Sequence, residues 1–258
     1  MRTVTSADGT SIAFDRLGEG PPVIMVVGAF NTRAATGPLA SALSDGFTVL
    51  NYDRRGRGES GDTPPYSVQR EIEDLAALIA EAAGSAAVFG YSSGATLALK
   101  AAASLAISKL ALYEPPFIVD ASRPTLPADL PDRLAGLVAA GRRGDAVELY
   151  QREAIGLPEE VVAGMRQAPF RPGLEAIAHT LAYDATVVGD MTLPTELIAS
   201  MPTPTLVIAG ENSPPLLRNA ARAVADALPN GQLRTLAGQS HDISPEATAP
   251  ALEEFLTG

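Results

Sequence analysis

Ala87-Val88-Phe89-Gly90-Tyr91-Ser92-Ser93-Gly94 is the stretch on which the reading of this chain turns. Ala87–Phe89 reads as a short buried strand, and the run from about Gly94 to Leu105 reads as a helix. Between them lies G-x-S-x-G, the pattern of a sharp strand-to-helix bend that exposes a serine oxygen. A serine hydroxyl is a weak nucleophile, so it must be presented to both a base and a substrate carbonyl. The bend crowds the backbone, which suits the small flanks Gly90 and Gly94. The helix that follows aims its N-terminal amides and positive dipole end at the reacting oxygen. Ser92, rather than Ser93, is the expected nucleophile.

The same alternation of short apolar runs and longer amphipathic ones extends along the chain. Val23–Val27, Phe47–Tyr52, Leu110–Tyr113, Thr205–Ile208 and Leu233–Leu236 read as further strands. Val23–Val27 is apolar throughout, as a strand covered on both faces should be. Ser67 is positioned to cap a helix whose Val68, Ile72, Leu75 and Ile79 share a stripe and which stops at Gly84. Ala-rich helices are expected over Arg218–Leu228 and Pro245–Leu256. Thr3–Leu17, turning at Asp8-Gly9, reads as an antiparallel hairpin at the sheet edge. The fold class is α/β, with a mostly parallel twisted sheet flanked by helices. From Pro115 to about Pro204 no strand pattern occurs, while stripes such as Leu130-Leu134-Leu137-Val138 and Val147-Tyr150-Ala154 point to a helical insertion. The expected division is a core of residues 1–114 and 203–258 with a helical cap over 115–202.

Composition narrows the chemistry. The 258 residues contain no Cys, which excludes disulfides, thiolate metal sites and a cysteine nucleophile. With 30 acidic against 19 basic residues the formal net charge is -11, so neither nucleic acid nor an anionic membrane surface is an expected partner. Met1–Thr10 lacks the apolar run of a secretory signal, and no apolar stretch is long enough to span a bilayer. The expectation is a soluble cytoplasmic protein, monomer or homodimer, acting on a small molecule without a cofactor.

A serine nucleophile needs a proton acceptor that titrates near neutrality, and His is the usual choice. Only His179 and His241 are available. His241 lies in the polar loop Gly238-Gln239-Ser240-His241-Asp242 after the last strand, and is the expected base. His179 falls in the helical stretch Leu174–Tyr183, where it packs in the insertion or faces solvent, or else touches substrate.

Together with the elbow, Asp53-Arg54-Arg55-Gly56-Arg57-Gly58-Glu59-Ser60 resembles the D-x-R-G-x-G-x-S loop of the α/β-hydrolase superfamily, and the resemblance covers nearly the whole chain. It implies a structural role for Asp53 and Arg55, a substrate-covering cap where the insertion lies, and a catalytic His at position 241. The wording of the Asp53 loop, of Tyr91–Ala95 and of Leu112–Phe117 looks like a group of actinobacterial-type hydrolases; abundant Ala and the near-absence of Lys fit a GC-rich bacterial genome. The family commonly places its acid after the seventh strand, three residues beyond a Gly. Here Gly210-Glu211-Asn212-Ser213 puts Ser213 at that position, and a hydroxyl cannot supply the charge that orients the imidazole. Three readings stay open: Glu114 at the end of the sixth strand, where some haloalkane dehalogenases of the superfamily carry their acid; Glu211; or no carboxylate at all. Asp242 is expected to point away from the neighbouring ring.

A tetrahedral intermediate needs two backbone donors. One is expected to be the amide of Ser93. The resemblance implies the other at Ala29, with Phe30 next in line, although the family's common His-Gly is here Val27-Gly28. Phe30, Asn31, Tyr91 and His179 are the candidate substrate contacts. The expected activity is hydrolysis of a small to medium, largely apolar ester, lactone or thioester through an acyl-enzyme. The competing readings are a lyase, cyclase or carbon–carbon bond hydrolase using Ser92 and His241 as an acid–base pair, and a catalytically silent binding module.

Overall fold

A computed structural model describes residues 1–120 and 123–258. Eight strands form one sheet: β1 (Arg2–Thr5), β2 (Ser11–Leu17), β3 (Pro22–Val26), β4 (Thr48–Tyr52), β5 (Ala86–Tyr91), β6 (Ile107–Tyr113), β7 (Thr205–Gly210) and β8 (Gly231–Leu236). Their order across the sheet is β1-β2-β4-β3-β5-β6-β7-β8. The hairpin β1–β2 pairs antiparallel and joins β4 antiparallel; every other pairing is parallel. The crossovers are helical: α1 (Gly37–Leu43), α2 (Val68–Glu81) and α3 (Ser93–Ala101) before the insertion.

Period-two alternation of the strands sorts the core onto two faces. Ile24, Val26, Leu50 and Val88 meet α2 residues Leu75 and Leu78 and α3 residues Leu97 and Leu99 on one side. Val23, Met25, Val49 and Phe89 meet Leu39 and Leu43 of α1 on the other. Because both faces are covered, β3 is apolar at every position, which is why Val23–Val27 shows no alternation in sequence.

Between β6 and β7 the chain inserts α4 (Leu130–Ala139), α5 (Arg143–Tyr150), α6 (Glu159–Met165), α7 (Arg171–Ala176), α8 (Leu181–Val188) and α9 (Thr195–Ala199). A single bridge, Ile118 to Thr192, is the β-pairing found among the described residues of this stretch. The insertion has its own apolar cluster around Leu130, Leu134, Val147, Tyr150, Leu181 and Ala185, and this cluster packs on Ala29 and Phe30 of the core. After β7 come α10 (Pro215–Ala227) and α11 (Pro245–Thr257), which complete the two layers.

Several local expectations shift. Ser67 stands at the N-cap of α2 in extended backbone, yet its hydroxyl makes no capping bond. That helix ends at Glu81 rather than reaching Gly84, and the chain turns out through Ala83 and Gly84 at positive φ with the Gly84 amide bonded to the Ile79 carbonyl. The helix after the elbow stops at Ala101, four residues short of Leu105, where Ser104 and Leu105 fold back onto the Ala101 carbonyl.

Candidate active site

Ser92 occupies the single residue between β5 and α3, at φ 55 and ψ -122. For a non-glycine residue that conformation costs on the order of 1–3 kcal/mol and persists only where the surroundings enforce it. They do. The Ser92 amide donates to the Tyr113 carbonyl on neighbouring β6 at 2.9 Å, and the Ser92 carbonyl accepts from the Ala95 amide at 2.9 Å. At Gly94 a side chain would drive into the Val26 and Val27 carbonyls, and at Gly28 a Cβ would lie 2.9 Å from both Ser92 Cβ and the Tyr91 carbonyl. Gly94 and Gly28 are therefore set by the approach of the β3 end to the elbow, and Gly90 by the start of α3, where a Cβ would lie 2.6 Å from Ala95 Cα.

Glu114 follows β6 and is wholly buried, at φ 48. One carboxylate oxygen accepts from the Gly210 amide at 2.7 Å, and the other lies 2.6 Å from His241 Nδ1. With a carboxylate accepting at Nδ1, that nitrogen carries the proton and Nε2 keeps the lone pair. The ring is held on its other sides as well. Tyr91 stands 5.0 Å from the imidazole, centroid to centroid, and meets the edge of Tyr113; the Tyr113 hydroxyl donates to the Ser240 carbonyl at 2.7 Å. Tyr91 is thus packed behind the imidazole, and burial pushes its phenol pKa up.

Of the acids weighed from the sequence, the structure brings Glu114 to His241. Glu211 is exposed and its carboxylate accepts from the Gly238 amide at 2.9 Å, bracing the loop that carries His241. Ser213 is buried with its hydroxyl unpartnered among the described residues.

The loop after β3 packs beside the elbow. Ala29 and Phe30 are half-buried against the insertion, Phe30 at φ 63 with its ring edge-on to Tyr150 at 5.4 Å. Asn31, expected to face the pocket, turns its amide back to the Ala29 carbonyl at 2.8 Å, because that carbonyl has no strand partner at the loop's bend. His179 sits at the seam between insertion and core. Its Nδ1 is 3.2 Å from an Arg143 guanidinium nitrogen, its other ring nitrogen faces Gly56, and its ring stands 6.4 Å from Tyr183. Burial, and after it Arg143, hold its pKa below the ordinary imidazole value.

Four charged residues that the sequence reading left out lie directly under the site. Arg54 pairs both oxygens of Glu71 at 2.6 Å, and also donates to Asp184 at 2.7 Å and to the Val27 carbonyl at 3.2 Å. Arg57 donates to Asp184 at 2.5 Å, to the Gly28 carbonyl at 2.6 Å and to the Asn31 carbonyl at 3.2 Å. Asp184, on α8, accepts from the Ser93 hydroxyl at 2.8 Å. All four are at most 1% exposed. Burial alone would raise the Asp184 pKa; Arg57, Arg54 and the Ser93 hydroxyl outweigh it and hold the carboxyl below its ordinary range. Asp53 and Arg55 act in the surrounding scaffold: Asp53 takes Arg33 and the Glu59 amide, and Arg55 takes Asp74 and Asp8.

A serine on a strained strand-to-helix bend and a carboxylate-bound imidazole thus stand on one α/β sheet. The chain belongs to the alpha/beta hydrolase family, whose model matches residues 23–252. An alpha/beta hydrolase from Sphaerobacter thermophilus has 56% identical sequence and a TM-score of 0.93, over 99% of this chain and 100% of that one. The 2-(acetamidomethylene)succinate hydrolase of Mesorhizobium japonicum is 30% identical over 93% of this chain and 89% of its own length. A hydrolase from Pseudomonas aeruginosa is 25% identical, with a TM-score of 0.78 over 100% and 98% of the two chains.

Proposed function

We propose that the protein is a serine hydrolase that cleaves a small to medium, largely apolar ester, lactone or thioester through an acyl-enzyme on Ser92. The observation that carries this reading is the 2.6 Å contact between buried Glu114 and His241 Nδ1, which leaves Nε2 as the proton acceptor. In the first half-reaction His241 Nε2 takes the Ser92 proton as Oγ attacks the carbonyl carbon, and then returns it to the leaving group. The oxyanion is met by the amides of Ser93 and Ala29. Water, deprotonated by the same imidazole, releases the acid in the second half. The Glu114 carboxylate orients the ring and stabilises the imidazolium. Residues 115–202 act as the cap over the cleft, supported by the packing of their apolar cluster on Ala29 and Phe30.

The test is treatment with a fluorophosphonate, with the adduct located by mass spectrometry, beside turnover of p-nitrophenyl acetate and butyrate. The relative named for 2-(acetamidomethylene)succinate makes an acetamido substrate a useful addition to the panel. Labelling at Ser92 with ester turnover is the expected result. Labelling without turnover of any acyl substrate favours a lyase, cyclase or carbon–carbon hydrolase, and absence of labelling favours a binding module.

A further inference from the structure

The peptide unit between Gly28 and Ala29 joins the two halves of a single geometry. Its carbonyl and its N–H point in opposite directions from one rigid plane. Arg57 grips the Gly28 carbonyl at 2.6 Å, so the direction of the Ala29 N–H is set by a guanidinium on the far side of the plane. A cation on the carbonyl also polarises the amide and makes its N–H the better donor. Ser93, whose amide is the other expected donor, is anchored by its hydroxyl to Asp184 at 2.8 Å. Asp184 in turn holds Arg57 at 2.5 Å with its second oxygen. One buried carboxylate thereby connects to both donors, through Arg57 to one and through the Ser93 side chain to the other.

Asp184 does not belong to the core. It lies on α8 of the insertion, in the otherwise apolar run Leu181-Ala182-Tyr183-Asp184-Ala185. Arg54 and Arg57 fill variable positions of the D-x-R-G-x-G-x-S loop, so the loop motif itself does not require them. Burying four charges is costly and adds little stability over an apolar cluster of the same volume. The arrangement therefore points to what it holds in place.

Resting on the serine-hydrolase reading above, we infer that Asp184 is a positioning residue that aligns both oxyanion-binding amides, so that the hole is assembled only with α8 seated on the core. Its contribution is made when negative charge develops on the substrate oxygen, and so falls on kcat rather than on KM.

The test compares wild type, Ser93→Ala and Asp184→Asn, using p-nitrophenyl butyrate kinetics and inhibition by an aryl trifluoromethyl ketone. Ser92 Oγ adds to the ketone carbon, its proton passes to His241, and the carbonyl electron pair moves onto oxygen, so the adduct carries the oxyanion that the hole must bind. Asp184→Asn keeps the shape and removes the charge; Ser93→Ala cuts one tie and leaves the ion pairs intact. The expected result is a kcat about tenfold or more lower in each folded variant, with KM within about twofold and ketone affinity falling in step with kcat. If Asp184→Asn does not fold, Ser93→Ala decides alone. Any pattern in which kcat and ketone affinity fail to fall together in a folded variant, Asp184→Asn or Ser93→Ala, overturns the inference. If wild type itself neither turns over esters nor labels at Ser92, the serine-hydrolase reading has failed instead, and the two failures are told apart.

Discussion

Glu114 and His241, 127 residues apart, meet at 2.6 Å through the carboxylate of a strand end and the Nδ1 of a C-terminal loop. The carboxylate is fixed by its second oxygen on the Gly210 amide, so one side chain spans β6, β7 and the loop after β8. Ser213, at the position where the family commonly has its acid, makes no such contact: it is buried with its hydroxyl unpartnered among the described residues.

Neutralising the orienting acid is expected to cost about 10⁴-fold in kcat, the scale seen when the acid of a Ser–His–acid triad becomes an amide. Glu114→Gln should show that loss while keeping the fold. Glu211→Gln removes an exposed brace on Gly238 and should leave kcat within about twofold. Steady-state rates on p-nitrophenyl butyrate check both, and equal losses in the two variants would contradict the assignment.

Gly28→Ala places a methyl group 2.9 Å from Ser92 Cβ and from the Tyr91 carbonyl. Either the loop or the elbow must yield. Overpacking of this kind destabilises by about 1–3 kcal/mol. The expected outcome is a lower urea midpoint together with a kcat drop larger than the stability loss explains, because the displaced atoms belong to Ser92, the proposed nucleophile. Unchanged kinetics in the folded variant would contradict this packing.

Arg54→Met leaves Glu71 without its bidentate partner in a fully buried setting. Removal of one member of a buried pair costs about 3–5 kcal/mol. Urea unfolding monitored by circular dichroism should show that loss with little change in slope. A loss below about 1 kcal/mol, the range of surface pairs, would mean that the network is hydrated in solution.

His179 gives a pH signature. Its folded pKa is depressed, by burial first and by Arg143 next, so the unfolded chain binds a proton more readily. The linked stability is fully present above the unfolded value of about 6.5 and is lost as pH falls below it toward the folded pKa. Melting temperature should therefore drop between about pH 7 and pH 5.5, and the drop should be smaller in His179→Gln. A steeper fall in the variant would reverse the sign and rule out this environment for the ring.

What the sequence made legible follows from locality. The elbow, the strands and the apolar faces depend on residues a few positions apart, and Gly90–Gly94 with its flanks carries the whole bend in one stretch. Glu114 was legible as a candidate because a strand end on the carboxyl edge of the sheet faces the same rim as the elbow. The Arg54–Asp184 pair was not, since its members lie 130 residues apart and both residue types are ordinarily exposed. A trace existed: three arginines within four positions of an acidic chain, and one carboxylate inside the apolar run of α8. Helices α6, α7 and α9, of seven, six and five residues, are too short to show a stripe.

The most direct measurement is rapid acid quenching of wild type during turnover of p-nitrophenyl butyrate, followed by peptide mass spectrometry. A butyryl group on the peptide containing Ser92, absent from Ser92→Ala, is the expected result. Turnover with no acylated Ser92 peptide at any quench time, or acylation elsewhere in the chain, would contradict an acyl-enzyme at the elbow.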